Sequence, residues 1–165
     1  MRRSIAVLFV AGVALFAASS ASATKPIVTF PPFPGFTDTS LCSYPIEISF
    51  EGTEKDVLFV DQNGVPTREI QVFGNFVVTF THGDKSLTTR GPSLTMISFD
   101  ANGDVETVAI VGLTAAVTVP GQGVVLLDAG RVVLFDATGT LKPESGFHAV
   151  FGSTGDRSKF CAALA

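Results

Sequence analysis

Short stretches of alternating apolar and polar residues, separated by closely spaced turn signals, constrain the fold of this chain most strongly. Residues 46–50, 76–80 and 113–119 each place an apolar side chain at every second position. An alternation of period two is typical of β-strands with one buried and one exposed face. Segments 57–60 and 124–127 are apolar at every position, which predicts strands covered on both faces.

Three turns of the pattern Asp-x-x-Gly divide these stretches. They start at Asp61, Asp100 and Asp136, and each follows an apolar strand end. Asp starts a turn through its side chain, and Gly tolerates the positive φ that tight hairpins require. Neighbouring strands should therefore pair antiparallel. The segments predicted as strands are 46–51, 55–61, 66–73, 75–82, 85–90, 93–100, 104–111, 113–119, 123–128, 130–136 and 146–151.

An all-β antiparallel meander of this kind has to protect its edge strands from pairing with other chains. Closure into a barrel removes the edges, so we predict a closed or nearly closed β-barrel of about 8–10 strands. A two-sheet β-sandwich is the alternative. Residues 154–165 predict a short C-terminal helix with Phe160, Cys161 and Leu164 on one face.

The first 23 residues have the three parts of a secretory signal peptide. Arg2 and Arg3 precede an apolar run from Ile5 to Ala18, and small residues up to Ala23 form a cleavage site. That run is shorter than the roughly 20 residues of a membrane-spanning helix. The sequence therefore predicts a secreted, extracellular protein with no stable membrane insertion after cleavage.

Two further segments follow the signal peptide. Residues 24–40 form an arm rich in Pro and Phe, and residues 41–165 form a single β domain. The prolines exclude a helix or a central strand in the arm. We expect the arm to lay its aromatic rings on the domain, although a proline-rich segment that binds a partner is the alternative.

The chain contains two cysteines, Cys42 and Cys161. Two cysteines in an oxidising compartment allow one intramolecular disulfide, which would join the start of the domain to its C-terminal end. Two free thiols or an intermolecular bridge are the alternatives.

Composition excludes several functional classes. An apolar fraction of 46% with 16% charged residues is that of a globular chain rather than a disordered one. A formal net charge of −4 argues against nucleic-acid binding, which needs a basic surface.

No motif for metal or cofactor binding is present. The two histidines, His82 and His148, lack the spacing of a zinc site, and we predict no metal and no cofactor. The turns at Asp61 and Asp100 approach a calcium loop but lack its full oxygen pattern, so hairpin turns are the better interpretation.

Catalytic motifs are equally absent. Glycosidase chemistry would need the acid pairs Glu51/Glu54 or Asp104/Glu106 at a defined separation in space, which the sequence does not give. Acidic side chains on exposed strand faces usually serve solubility, and we interpret both pairs in this way. No catalytic residue is assigned, and the absence of a catalytic motif favours a protein that is not an enzyme.

Phenylalanine is abundant, with 15 residues, and several of them lie in predicted strands. In a wide barrel these rings would line a dry cavity for an apolar ligand, whereas in a narrow one they would fill the core. An inward-pointing Arg68, Arg90 or Arg131 would need a partner such as a ligand carboxylate. The candidate ligand-binding residues are Phe50, Phe59, Phe76, Phe80, Phe99 and Phe135.

Four segments resemble a group of uncharacterised small secreted β-rich proteins of high-GC Gram-positive bacteria. They are 39–46, the LFVDQNG turn, 119–130 and 160–164, and the resemblance covers residues 38–165. It implies secretion and a pairing of the terminal cysteines, and it brings no function.

The sequence supports three hypotheses about function. The first is a non-enzymatic binding protein for a small apolar ligand or a surface partner. The second is an extracellular structural or interaction protein with a filled core. The third is an enzyme that uses carboxylate and histidine chemistry at the mouth of a barrel. The oligomeric state is left open.

Overall fold

The computed structural model of the protein describes residues 24–135, 142–151 and 156–165, without the side chains of Phe135 and residues 142–144. The predicted signal peptide and the turn at Asp136 lie outside the described residues. The described part contains nine strands and one helix. They are β1 (Ile27–Thr29), β2 (Phe36–Asp38), β3 (Ile46–Val60), β4 (Pro66–His82), β5 (Lys85–Arg90), β6 (Ser93–Phe99), β7 (Val105–Val119), β8 (Gly123–Phe135), β9 (Lys142–His148) and α1 (Ser158–Leu164).

All nine strands belong to one antiparallel sheet. Its order is β1-β3-β4-β6-β7-β8-β9, with β2 paired to β3 and β5 paired to β4. The all-β antiparallel fold and the short C-terminal helix are thereby confirmed.

The prediction of a closed barrel is wrong for this sheet. Strands β1 and β9 lie at opposite ends of the strand order, and no pairing among the described strands joins them. The two-sheet alternative also fails, because one sheet holds every described strand. Edge protection is achieved differently: β1 and β2, on the β3 side, are only three residues long, and a short edge offers few free backbone groups.

Several predicted strand breaks are bends inside continuous strands. Strand β3 joins the predicted segments 46–51 and 55–61, and β4 joins 66–73 and 75–82. At the bend Asn75 and Phe76 lie opposite the single residue Gly52, which is a β-bulge. Gly52 has a φ of 133°, and a Cβ there would lie 2.9 Å from the Phe76 ring, so only glycine fits.

The main core lies at one end of the bent sheet, which we call the packed end. Its most buried side chains come from β3, β7, β8 and α1 and are Ile46, Val117, Leu126, Phe160 and Leu164. The Phe160 ring meets Phe80 edge-to-face, with ring centroids 5.1 Å apart. Helix α1 therefore completes the core at this end.

The disulfide between Cys42 and Cys161 confirms the predicted pairing. It links α1 to the segment that precedes β3, with the two Cα atoms 5.7 Å apart. The Tyr44 hydroxyl donates a hydrogen bond to the carbonyl oxygen of Cys161 beside it. The two ends of the domain are thus held together at the packed end.

Candidate ligand-binding cavity

A cavity of about 590 Å³ opens on the concave face of the sheet, beside the packed end. We call this region the hollow end. Its wall is formed by side chains of β3, β4, β6, β7 and β8 together with residues of the arm. Apolar residues that shape it include Phe50, Phe73, Phe76, Val78, Ile97 and Ile110.

The bulge in β4 explains how both halves of this strand face the cavity. Gln71 and Phe73 lie on the concave face before the bend, and Phe76 and Val78 lie on it after the bend. Successive side chains of a regular strand alternate between faces, so 73 and 76 would point to opposite sides. The extra residue at Asn75, with a φ of 57°, restores the orientation.

The proline-rich arm crosses the mouth of the cavity. Phe33 lies between β1 and β2, and its ring centroid is 4.6 Å from that of Phe50, 5.6 Å from that of Phe73 and 5.5 Å from that of Phe76. All three contacts are edge-to-face, which is a favourable geometry for aromatic pairs. Phe33 is nevertheless 40% exposed, so the ring sits at the boundary between cavity and solvent.

A small group of polar side chains interrupts the apolar wall. Gln71, Ser93 and Thr95 lie on the neighbouring strands β4 and β6, and all three line the cavity. Gln71 is directly opposite Thr95 in the antiparallel pair, and Phe73 is opposite Ser93. Directly opposed residues share a face, which brings the three polar groups together.

Three carboxylates continue this face of the sheet toward β1. Asp56 is opposite Gln71, Glu54 is opposite Phe73, and Glu69 receives a 2.8 Å hydrogen bond from the Gln71 Nε2. Glu54 is only 6% exposed. Burial and the neighbouring Asp56 and Glu69 raise the pKa of Glu54 to about 7, and its protonated carboxyl hydrogen-bonds to Asp56.

Asp56 is perturbed by the same surroundings. Burial and the charge of Glu69 raise its pKa, while the hydrogen bond with Glu54 opposes this shift. Its Oδ1 is buried and has no hydrogen-bond partner among the described residues. The face next to the cavity is therefore acidic and incompletely hydrogen-bonded.

The six phenylalanines predicted to bind a ligand separate into groups. Phe50, Phe76 and Phe80 line the cavity, whereas Phe59 and Phe99 do not, and the side chain of Phe135 is outside the described structure. The Phe59 ring instead lies under Arg68, whose Cζ is 4.4 Å from its centroid. Arg68 and Arg90 are exposed rather than inward-pointing.

Four phenylalanines of the wall were not predicted from the sequence, namely Phe33, Phe36, Phe73 and Phe151. The first two belong to the arm, which was predicted to lay its aromatic rings on the domain, and their ring contacts confirm this. The sequence did not indicate that these rings would meet a cavity. Phe73 was hidden by the bend, because strict alternation from Phe76 places it on the other face. The pair Gly74-Asn75 was the available signal, since both residues favour a bulge.

Neither histidine lines the cavity. The His82 Nδ1 lies 2.8 Å from the Pro45 carbonyl oxygen, and the ring lies against Tyr44. His148 is buried, with Nδ1 3.4 Å from Asp128 Oδ1 and Nε2 2.8 Å from the Ser145 carbonyl oxygen. The other Asp128 oxygen accepts hydrogen bonds from the amides of Val150 and Phe151.

This buried Asp–His pair has a structural consequence for the cavity. Val150 and Phe151 are wall residues, and Asp128 fixes their backbone. The pair therefore shapes the cavity from behind its wall rather than facing a ligand.

The aspartates of the hairpin turns bind their own backbone. Asp61 Oδ1 accepts hydrogen bonds from the amides of Asn63 and Val65, and Asp100 does the same for Asn102 and Asp104. These bonds lower the pKa of both carboxyls. The hairpin interpretation is confirmed. Within the described ranges no group of three or more His, Cys, Asp or Glu side chains could hold a metal ion.

Comparisons with known protein families, with curated proteins and with solved structures find no match. The resemblance to small secreted proteins of Gram-positive bacteria therefore stays a prediction. Among the described residues, no helix is long and apolar enough to cross a membrane.

Proposed function

We propose that this protein is a secreted, non-enzymatic binding protein that holds a small apolar ligand in the cavity of the hollow end. The observation that carries the proposal is the cavity itself, with a volume of about 590 Å³ and a wall of aromatic and aliphatic side chains. Sites for small molecules typically have volumes of about 300–1,000 Å³, an apolar lining and a few placed polar groups.

The contrast with the packed end supports this proposal. Protein interiors are normally close-packed, and an apolar cavity lowers stability because its lining lacks contacts. The same sheet packs fully around Ile46, Val117 and Leu126, so the chain is able to fill its interior. A cavity that persists beside such a core favours ligand binding over a structural protein with a filled interior.

Secretion is part of the proposal and has two supports. The first 23 residues have the pattern of a signal peptide. The disulfide between Cys42 and Cys161 fits an oxidising compartment, since such bonds are rare in the cytosol.

An enzyme that uses carboxylate and histidine chemistry has less support. His82 and His148 lie away from the cavity wall, and Glu54 lies beside Phe73 without lining the cavity. The wall carboxylate Asp38 accepts hydrogen bonds from the amides of Ser40 and Leu41. A general acid or base must reach the proton that it transfers.

A fluorescent apolar probe tests the binding function. We expect N-phenyl-1-naphthylamine to bind the oxidised protein saturably with one site. Ile97 lines the cavity, whereas Leu94 on the same strand is exposed on the other face. The variant Ile97→Trp should occupy part of the cavity and weaken binding at least about tenfold, which corresponds to about 1.4 kcal/mol.

The matched control is Leu94→Trp, which adds the same side chain outside the cavity and should leave the affinity unchanged. Thermal unfolding of both variants verifies that they are folded. The proposal fails if the parent protein shows no saturable binding, or if the two tryptophan variants bind the probe equally well.

A further inference from the structure

We propose that Gln71, Ser93 and Thr95 form a polar subsite that recognises a hydrogen-bond donor on the ligand. The ligand would then be an apolar molecule with a neutral hydroxyl or a protonated amine, and not a carboxylic acid. This inference rests on the proposed binding function and names the chemical class of the ligand.

Thr95 is the first support. It is 8% exposed, and its side chain lines the cavity. Among the described residues its hydroxyl has no hydrogen-bond partner, and Asp56 Oδ1 is the one fully buried side-chain atom left unpaired there, so the Thr95 oxygen is open to the cavity. A ligand hydroxyl or amine that enters the cavity can therefore form a hydrogen bond with it.

Gln71 is the second support, because its amide has a defined direction. Its Nε2 donates to Glu69 at 2.8 Å, which commits the donor end of the amide. The carbonyl oxygen of Gln71 is then the part of the amide that can form a hydrogen bond with a ligand in the cavity. An amide oxygen only accepts hydrogen bonds, so this position selects a donor.

The charges around the subsite exclude an anionic ligand. Glu54, Asp56 and Glu69 lie on the same face of the sheet, next to Gln71 or Phe73. Asp38 also lines the cavity, while the described wall residues include no Lys, Arg or His. A ligand carboxylate would meet repulsion without a counter-charge, and repulsion is strong where water is excluded.

Asp56 adds an unsatisfied acceptor beside Gln71, which lies directly opposite it. Its Oδ1 is buried and lacks a partner among the described residues. An ammonium group at the subsite would reduce the repulsion among the three carboxylates, whereas a hydroxyl would pair with Thr95 and Gln71 alone. The ammonium and the hydroxyl would both donate hydrogen bonds to Thr95 and Gln71.

Three probes of equal chain length test the inference: 1-decanol, decylamine and decanoate. Each competes at pH 7.5 with N-phenyl-1-naphthylamine for the oxidised protein. We expect decanol and decylamine to bind at least about tenfold more tightly than decanoate, a ratio that corresponds to about 1.4 kcal/mol.

The variant Thr95→Val keeps the side-chain shape and removes the hydroxyl. It should weaken decanol binding about threefold to tenfold, in line with one lost hydrogen bond. Thr88 is exposed on β5, so Thr88→Val serves as the control and should leave decanol binding unchanged.

The outcomes separate the two proposals. If decanoate binds as tightly as decanol or decylamine, the subsite inference is wrong and the cavity function stands. An unchanged decanol affinity in Thr95→Val also overturns the inference. If the fluorescent probe itself does not bind, the proposed function fails, and the subsite fails with it.

Discussion

The two ends of the sheet are built from the same strands and differ in what covers their concave face. At the packed end Phe160 and Leu164 of α1 pack against the sheet and are fully buried. At the hollow end the arm contributes Phe33, which is 40% exposed and rests on other rings at the mouth. The space behind Phe33 stays open.

This difference shows that the chain termini, rather than the strands, decide which part of the interior is filled. Both ends have apolar side chains on the concave face. The C-terminal segment forms a helix whose two large side chains reach the core. The N-terminal arm is rich in proline and pairs only through two three-residue strands, so it spans the opening without filling it.

Removal of the disulfide should have the largest effect on stability. The bond closes a loop with a sequence separation of 119 residues. For loops of that order the chain-entropy model gives about 4–5 kcal/mol. We expect the double variant Cys42→Ser/Cys161→Ser to lose most of this free energy of unfolding in urea titrations. Equal stability of the oxidised parent and the double variant would contradict a tether at the packed end.

Loss of one aromatic ring should affect the two ends unequally. Phe160→Ala should cost about 3–5 kcal/mol, because it leaves a cavity in a close-packed core. Phe73 is half-buried and already borders an open space, so Phe73→Ala should cost about 2 kcal/mol or less. Urea unfolding of the two variants measures the difference. A similar loss in both would mean that the ends are packed alike.

The buried carboxyl of Glu54, beside the cavity at the hollow end, should make the stability of the protein depend on pH. Its pKa is raised from 4.5 to about 7, so the folded state binds this proton more tightly than the unfolded state. The associated stability is fully present below about pH 4.5 and is lost as the pH rises through about 7.

Glu54→Gln should remove this loss. At pH 8 the variant should be more stable than the parent by on the order of 1–3 kcal/mol, since one pKa unit corresponds to about 1.4 kcal/mol. Glu47→Gln, at an exposed position on the same strand, is the control. Parallel stability curves from pH 5 to pH 8 for the parent and Glu54→Gln would refute the burial of this carboxyl.

Local signals in the sequence predicted much of the fold. Alternation located the strands, Asp61 and Asp100 located two hairpins, and the count of cysteines identified the disulfide. Each of these depends on neighbouring residues or on a single possible pairing. They carry no information about how a sheet bends over its whole width.

Two features depend on that bending and were not predicted correctly: the open sheet, which was predicted to be a barrel, and the set of residues that line the cavity. The bulge at Asn75 turned a predicted strand break into a continuous bent strand and brought Phe73 onto the concave face. Glu54 lies on the same strand face as Ile46, Ile48 and Phe50, but acidic residues of strands are usually exposed, and it was therefore predicted to be exposed. It is only 6% exposed, on the same face as Phe73, which lies directly opposite it.

Native mass spectrometry of the oxidised protein, isolated from its natural host, tests the central claim most directly. The account predicts a reproducible added mass that dissociates on denaturation and belongs to an apolar molecule with a hydroxyl or an amine. Ile97→Trp, produced in the same host, should lack this mass. A bare protein, or an added mass that Ile97→Trp retains, would contradict the claim that the hollow end is a ligand-binding cavity.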